Sequence, residues 1–488
     1  MKKPTVTQWI GLAAGIVAFA LLLVLDTPLK HVDPKLGSRP AFAAAVASLM
    51  AIWWLTEALP IYVTALVPFV LYPIVGVFGK GWWGDLKETG VQYVDSFIFL
   101  FAGGMCIAAA MQQCDLHRRI ALVIMRGIGT DPRRLLFGML CATAFVSLWI
   151  SNTATAAMML PIGLAILAQL EARVGARLVH YGAAMMLSVA YAANIGGIGT
   201  KIGTAPNSQF AGFMAQQQID VTFLKFMAVG LPFVIMLLPV AWWLLWRVGR
   251  HDAPSGDVGR SVVESEIEKL GAMKRVEKIV LAVFVATAVL WIGGKWITEK
   301  LAPVFKAQLD YKLTGPNVEG ATAMLAAFLL LAMRINRRQV LEGATLKKVP
   351  WETLLLLGGG FAMGAGIDKS GLAAWMGLQM QVVQGLPLFW QTLLACLITV
   401  GLTAVASNTA TIGVMLQVLK SSGTTVLFAA TIASSCDFAL PAGTPPNAIV
   451  FGSGYLTVAR MAKTGVVLDI IAALLAAAWC WAIVRFVL

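Results

Sequence analysis

The chain has 488 residues, of which 59% are hydrophobic and 12% are charged, and its formal net charge is +13. A soluble domain typically has about 25% charged residues, so this composition excludes a soluble enzyme, a disordered chain and a disulfide scaffold. The basic residues lie in short segments between apolar runs, a distribution typical of the cytoplasmic side of a membrane protein and not of a nucleic-acid-binding surface. The composition predicts an all-α polytopic membrane protein.

Eleven apolar runs predict transmembrane helices, because a helix needs about 20 apolar residues to cross a bilayer. The first run follows two lysines and is longer than the apolar core of a signal peptide, so it predicts an uncleaved span with the N-terminus inside. The runs are 8–25, 41–56, 61–78, 96–113, 180–217, 223–246, 278–297, 320–333, 352–368, 425–452 and 458–487.

Two further apolar stretches, 132–168 and 388–419, are each interrupted by the tripeptide Ser-Asn-Thr. Each half is about 18 residues or shorter, which is below the length of a span, so each stretch predicts a re-entrant hairpin. Non-helical backbone at membrane depth is tolerated only inside protein or beside a water-filled cavity. The interruptions are Ser151, Asn152 and Thr153 in the first stretch and Ser407, Asn408 and Thr409 in the second.

The interrupted stretches belong to an internal repeat. The second tripeptide follows the first by 256 residues, and Ser147 and Thr403 each lie four residues before its serine. Further along each copy, 203–207 and 443–447 share the pattern Gly-Thr-x-Pro-Asn, here 240 residues apart. Paired broken segments in the two halves of a chain indicate the binding site of a secondary transporter.

The arginines predict which way the hairpins face. Residues 117–134 contain five arginines, whereas the corresponding segment of the second copy, 370–387, contains no lysine or arginine. Basic segments stay on the cytoplasmic side, so the first hairpin is expected to open inwards and the second outwards, as inverted repeats. Eleven spans then place the C-terminus outside. The polar segment 251–272 predicts a short surface helix.

The two polar motifs lack Asp and Glu, which argues against a proton relay or a cationic substrate. Helix N-termini with hydroxyl and amide groups can bind an anion. Carbonyls freed by a helix break, together with Asn, Ser and Thr oxygens, can coordinate sodium. One short motif can therefore serve a cation and an anion together.

The paired Ser-Asn-Thr tripeptides, each followed by a Gly-Thr-x-Pro-Asn loop, resemble the divalent anion/sodium symporter family. The resemblance covers essentially the whole chain, including 446–454 after the second loop. It implies sodium-coupled transport of dicarboxylates, citrate or sulfate by a homodimer, and an elevator-type mechanism in which a transport domain moves against a scaffold. On this division 1–116 and 278–387 are scaffold, 117–250 and 388–488 are the two transport halves, and 251–277 is a cytoplasmic linker.

The resemblance also implies roles for individual residues, in about two sodium sites and one substrate site. The substrate-binding residues would be Ser151, Asn152, Thr153, Thr204, Ser407, Asn408, Thr409, Thr444 and Pro445. The first sodium site would be Ser147, Ser151, Asn152 and the Gly203 carbonyl, and the second would be Thr403, Ala406, Asn408 and the Gly443 carbonyl. The repeat supports this pairing independently.

Lys201 departs from the family, whose members usually have an apolar residue at this position. A lysine at membrane depth costs about 2.5–3.5 kcal/mol on insertion scales. In one interpretation Lys201 snorkels or pairs with a backbone carbonyl. In the other, its ammonium replaces or modulates the first sodium, which would weaken sodium coupling and favour exchange.

These observations predict a secondary transporter of the cytoplasmic membrane that moves a C4-dicarboxylate such as succinate or malate with sodium. Sodium-independent dicarboxylate exchange is the alternative mechanism, and citrate and sulfate rank lower as substrates. A membrane enzyme is disfavoured because the sequence shows no His/Asp metal cluster, no nucleophile–base pair and no soluble active-site domain. The four histidines lie far apart in the sequence and form no ligand pair, and the six cysteines form no Cys-x-x-Cys motif. A channel is disfavoured because inverted hairpins with matching broken helices suit alternating access.

Overall fold

A computed structural model describes residues 5–25, 27–32, 34–254, 260–309, 313–335, 337–347, 349–379, 385–441 and 443–488. These residues are mostly helical, which confirms the all-α part of the predicted fold class. The strands within these ranges form one antiparallel pair of two residues each, Arg334–Ile335 with Arg338–Gln339. Short 3-10 helices lie at Pro28–His31, Gln92–Val94 and Lys420–Ser422.

Each of the eleven predicted spans contains one or two helices. The α-helices are Val6–Val24, Arg39–Thr56, Ile61–Thr64, Val67–Val75, Gly81–Val91, Ser96–Gln113, Leu116–Ile128, Pro132–Ser147, Asn152–Val174, Val179–Gly197, Ala205–Gln216, Phe223–Gly249, Arg260–Leu270, Arg275–Ile292, Gly294–Leu309, Gly315–Ala332, Gly343–Leu346, Glu352–Lys369, Leu372–Gln379, Leu388–Thr403, Asn408–Val418, Thr424–Ser434, Pro445–Phe451 and Val458–Val487.

Seven helical segments in the described part of the chain are long and apolar enough to cross a membrane. The number is eight if Arg275–Ile292 and Gly294–Ala307, which are bent by 71° at Gly293, form one span. One of the seven, Asn152–Val174, is the second half of the first predicted hairpin, and its 23 residues exceed the length expected from the sequence. Several predicted spans consist of broken or shorter helices, which a bilayer-length criterion does not count. The structure therefore supports a multi-pass membrane protein, and the number eleven stays a prediction.

The helices begin and end at residues with known capping chemistry. The Asp131 side chain accepts a hydrogen bond from the Arg134 amide, and Pro132 occupies the first helical position, where its missing N–H costs nothing. At the end of the next helix, Gly175 adopts φ +72°, the left-handed conformation that closes many helices. The polar ends of the apolar runs thus set the helix boundaries.

Four helical units carry the repeat, and we name them here. The first helix pair is Pro132–Ser147 with Asn152–Val174, and the second is Leu388–Thr403 with Asn408–Val418. The first broken helix is Val179–Gly197 with Ala205–Gln216, and the second is Thr424–Ser434 with Pro445–Phe451. The segments between the halves of the broken helices are the first unwound loop, 198–204, and the second unwound loop, 435–441 with 443–444.

The two copies of the repeat pack across one another. The C-terminal half of the first broken helix contacts Asn408–Val418 of the second helix pair, and the C-terminal half of the second broken helix contacts Asn152–Val174 of the first helix pair. One hydrophobic core joins all four units with Phe223–Gly249 and Val458–Val487. The remaining helices supply most of two separate cores.

Two expectations need correction. In the segment predicted to be a surface helix, Arg260–Leu270 is helical, but Glu266 is buried and pairs with Arg118 and Lys269, so one face packs against Leu116–Ile128. Residues 255–259 lie outside the described part.

The histidines are also not all separate in space, since the ring centroids of His180 and His251 are 5.6 Å apart. The six cysteines are free thiols.

Candidate substrate and cation site

The break in the first helix pair brings together the residues predicted for the first sodium site. Ser147 Oγ donates to the Ala193 carbonyl at 2.6 Å and lies 3.0 Å from Asn152 Oδ1. Gly203 approaches them so closely that an added Cβ would lie 2.9 Å from the Ser147 carbonyl oxygen. These residues are buried, and only glycine fits at position 203.

The break in the second helix pair repeats this arrangement. Thr403 Oγ1 lies 2.8 Å from both Asn408 Oδ1 and the Ser434 carbonyl oxygen, and its one hydroxyl proton can be donated to either of them. Ala406 is buried beside the break. Gly443 lies against the carboxylate of Asp437, since an added Cβ would be 2.2 Å from Asp437 Oδ2.

The asparagines of the two Gly-Thr-x-Pro-Asn loops make matching hydrogen bonds. Asn207 Nδ2 donates to the Gly197 carbonyl at 2.9 Å and to the Thr200 carbonyl at 2.6 Å. Asn447 Nδ2 donates to the carbonyls of Asp437 and Leu440, at 3.2 and 2.9 Å. These acceptors stand 240 residues apart, so the sequence repeat is also a repeat of hydrogen bonds.

Four helices that start at the site have a serine or threonine as N-cap, in an extended conformation. A side chain at this position normally accepts a hydrogen bond from the second or third amide of the helix, but none of these four does so. Their hydroxyls and several first-turn N–H groups are thus available to a ligand. The four N-caps are Ser151, Thr204, Ser407 and Thr444.

The predicted substrate residues differ in exposure. Thr153 and Pro445 are exposed, whereas Thr204 and Thr444 are buried, as is Asn152. Ser407, Asn408 and Thr409 are half-buried, as is Ser151. A cleft beside the first tip is lined by Phe101, Met105, Trp149, Ile150, Ser151 and Pro350, among others. Among the described residues, none from the second tip lines this cleft.

Lys201 has a partner that the sequence did not indicate. Its Nζ lies 2.7 Å from Glu319 Oε2, and both side chains are buried at 0% and 1% exposure. Glu319 Oε1 accepts from the Phe223 amide at 2.6 Å, and the ammonium lies 5.3 Å from the centre of the Phe97 ring. The lysine therefore neither snorkels nor pairs with a backbone carbonyl, but forms an ion pair with the helix Gly315–Ala332.

Asn194 connects the two copies and was missed by the sequence analysis. Its Oδ1 accepts from Asn152 Nδ2 at 3.4 Å, and its Nδ2 donates to the Asp437 carbonyl at 3.0 Å. Both Asn194 and Asp437 are fully buried polar residues inside apolar segments. That property, which marks functional residues in membrane segments, was the signal available in the sequence.

Comparison with solved structures finds proteins of similar fold. The fold is similar to MtrF of Neisseria gonorrhoeae, described among a class of antimetabolite efflux pumps, with a TM-score of 0.56, 11% identity and coverage of 88% of this chain and 96% of that one. It is also similar to the YdaH transporter of Alcanivorax borkumensis, with a TM-score of 0.54, 13% identity and coverage of 97% and 98%. At these identities the likeness concerns the fold alone.

Sequence relatives identify the family. The family described as sodium:sulfate symporter transmembrane region matches residues 6–487. The sodium-dependent dicarboxylate transporter SdcS of Staphylococcus saprophyticus is 34% identical over 482 residues, covering 95% of this chain and 89% of that protein. SdcS of Staphylococcus aureus strain USA300 is 34% identical over 493 residues, with coverage of 97% and 91%. The chain belongs to this family of divalent anion/sodium symporters, and it is a multi-pass membrane transporter, not an enzyme.

Proposed function

We propose that this transporter couples the movement of sodium to the movement of a C4-dicarboxylate such as succinate or malate across the cytoplasmic membrane. The observation that carries the proposal is the pair of matching helix breaks. In each break a hydroxyl meets the amide oxygen of the tip asparagine, and the N-cap serine makes no capping hydrogen bond. The relatives named as sodium-dependent dicarboxylate transporters support this substrate class over citrate and sulfate.

The substrate carboxylates would bind at the two tips. In each tip a serine N-cap precedes a helix of eleven or more residues, whose N-terminus favours an anion. Thr204 begins a third such helix, of twelve residues. The fourth helix, Pro445–Phe451, is short and starts with two prolines that lack N–H groups, so we assign Thr444 and Pro445 to the lining of the pocket.

Sodium fits the oxygen atoms at both breaks. Asn207 Oδ1 and Asn447 Oδ1 are buried without a hydrogen-bond partner, and both residues lie in the first turn of the helices that follow the unwound loops. Carbonyl, amide and hydroxyl oxygens of this kind hold sodium in broken-helix transporters. We assign the first ion to Ser147, Ser151, Asn152 and Gly203, and the second to Thr403, Ala406, Asn408 and Gly443.

The ends of the first helix pair support a re-entrant hairpin that opens towards the cytoplasm. Tyr181 Oη donates to the Pro132 carbonyl at 2.8 Å, and the Leu178 amide donates to Glu171 Oε1 at 2.8 Å, so both ends of this pair lie beside the start of the first broken helix. Arg173, near the end of the pair, donates to Ser261 in the linker helix. That linker helix also holds Arg118 through Glu266.

The second helix pair ends at the other side of the molecule, which supports inverted repeats. Directly after it, Lys420 pairs with Asp368 at the end of the helix Glu352–Lys369. Eighteen helical residues span about 27 Å. Ten residues before that helix begins, the Glu342 amide donates to Gln113 Oε1 at 2.9 Å, and Gln113 is five residues before Arg118. The helix therefore begins on the side of the arginine-rich segment and ends on the side of the second helix pair. We therefore propose N-terminus inside and C-terminus outside.

The separate hydrophobic cores support a transport domain and a scaffold. The core that joins the helix pairs and broken helices draws mainly on 121–245 and 395–484, which matches the two transport halves predicted from the sequence. We extend the proposal to an elevator-type movement of this unit within a homodimer.

Sodium-independent exchange is the second candidate, and Lys201 is the residue that bears on it. Its backbone lies two residues before Gly203, but its ammonium is directed to Glu319. A positive charge that is balanced by a carboxylate repels a nearby cation less than a free one. The ion pair therefore favours sodium symport.

Uptake of radiolabelled succinate into proteoliposomes tests the proposal. With an inward sodium gradient we expect uptake that unlabelled malate inhibits more strongly than citrate or sulfate. The Asn152→Ala variant, reconstituted at the same density, is the inactive control. Stronger inhibition by sulfate or citrate than by malate would contradict the substrate assignment, and equal uptake in potassium would contradict sodium coupling.

A further inference from the structure

Asp437 has a buried carboxylate that takes no part in the proposed mechanism. It is 0% exposed, and neither carboxylate oxygen has a hydrogen-bond partner. Its backbone carbonyl, by contrast, accepts from both Asn194 and Asn447. A carboxylate that is held out of water without a partner is strongly unfavourable, so this side chain needs either a proton or a cation beside it.

The carboxylate is directed into the second unwound loop. An added Cβ on Gly443 would lie 2.2 Å from Asp437 Oδ2 and 2.6 Å from Oδ1. Gly443 supplies the carbonyl that we assign to the second sodium ion. The carboxylate thus borders the cation site itself.

The repeat gives a second, independent indication of the same direction. Asp437 precedes Asn447 by ten residues, as Gly197 precedes Asn207 in the first copy. An added Cβ on Gly197 would lie 2.2 Å from Asn152 Oδ1, the amide oxygen of the first cation site. In the first copy, a side chain at this position would therefore point towards the tip asparagine.

The neighbours of Asp437 do not balance its charge. Asp469 is a second buried carboxylate, and its Oδ1 accepts from the Phe438 amide at 2.9 Å. The Tyr191 ring lies 5.1 Å from the Phe438 ring, and its hydroxyl is buried without a partner. Within the described ranges, Asp437 forms no ion pair with Lys, Arg or His.

We propose that Asp437 is the charged ligand of the second cation site, which binds sodium by an ion pair in addition to neutral oxygens. This inference rests on the proposed sodium coupling. The first site has glycine at the same repeat position and Lys201 two residues before its carbonyl ligand, so the two sites are not equivalent. The second site binds sodium more tightly and fills first.

Sodium-dependent thermal stability of the purified protein, without substrate, tests this directly. We expect Asp437→Asn to raise the sodium concentration for half-maximal stabilisation by about tenfold or more, the change that follows from losing a charged ligand. Asp469→Asn is the matched control, because it removes an equally buried carboxylate that already has an amide partner, and its midpoint should stay within about twofold of wild type. Choline chloride keeps the ionic strength constant.

A second variant keeps the test decisive if Asp437→Asn does not fold. Asp437→Gly installs the residue of the first copy and should shift the midpoint in the same direction. An unchanged sodium midpoint in the folded variants would overturn the proposal. The proposal would also be overturned if the thermal stability of a variant lost its dependence on pH while its sodium midpoint stayed unchanged, because Asp437 would then carry a proton.

Failure of the proposed function gives a different result. If wild-type protein shows no sodium-driven uptake but its sodium-induced stabilisation still depends on Asp437, the symport proposal fails and the cation site stands. If uptake is sodium-driven and Asp437→Asn leaves both the stability midpoint and the sodium activation curve unchanged, only the role of Asp437 fails.

Discussion

The buried ion pair of Lys201 and Glu319 allows a quantitative prediction about stability. Glu319→Gln removes the negative charge but keeps an oxygen for the Phe223 amide, so the main loss is the compensation of the ammonium. Removing one partner of a buried ion pair costs about 3–5 kcal/mol, because the other charge is left unpaired. We expect Glu319→Gln to lower the free energy of unfolding by that amount.

The double variant Lys201→Met/Glu319→Gln should recover most of this loss, because no unpaired charge remains. Denaturant titration of the single and double variants in the same mixed micelles measures both effects. A free energy of unfolding for Glu319→Gln within about 0.5 kcal/mol of wild type would refute the reasoning, since a coupled buried pair typically shows an interaction energy of about 0.5–3 kcal/mol.

Two single variants of Lys201, together with the double variant, test whether this residue modulates coupling. Lys201→Leu should increase the sodium dependence of dicarboxylate uptake, and Lys201→Arg should impair transport through its bulk. Because Lys201→Leu also leaves Glu319 unpaired, the double variant separates an effect on sodium from an effect on stability. Sodium activation curves with the same midpoint and Hill slope in wild type and the double variant would make Lys201 a purely structural residue.

Three further predictions concern the tips and the topology. Asn152→Ala and Asn408→Ala should each abolish succinate uptake at wild-type membrane levels, and near-normal uptake by either would remove that residue from the site. Ser151→Ala should weaken substrate binding but lower stability by less than the ~1 kcal/mol usual for a lost cap, because its hydroxyl does not cap the helix; a larger drop in the denaturation midpoint would contradict this. Impermeant thiol reagents applied to intact cells should label a cysteine at position 385 and not one at position 128, in a variant without other accessible thiols, and the reverse pattern would rule out the proposed topology.

The repeated motifs made much of the site predictable from the sequence. Ser147 and Thr403 stand at the same distance from their tripeptides, and each hydrogen-bonds its asparagine in the structure. Short-range contacts of this kind can be predicted because both partners belong to the same helix break. The number of spans is harder to predict, because broken helices fall below the length that hydropathy recognises.

Contacts between distant segments could not be predicted. Lys201 and Glu319 are 118 residues apart and belong to no repeated pattern, so the partner of Lys201 depended on tertiary packing. Asp437 is an intermediate case. Aligning the two loops places it opposite Gly197, but the unpaired state of its carboxylate is visible only in the structure.

Initial uptake of labelled succinate into vesicles that contain wild-type protein tests the central claim most directly. One set of vesicles is empty and the other is preloaded with unlabelled succinate, each with and without an inward sodium gradient. Sodium symport predicts uptake into the empty vesicles only with sodium outside. Uptake that requires internal succinate and does not respond to sodium would contradict symport and establish exchange.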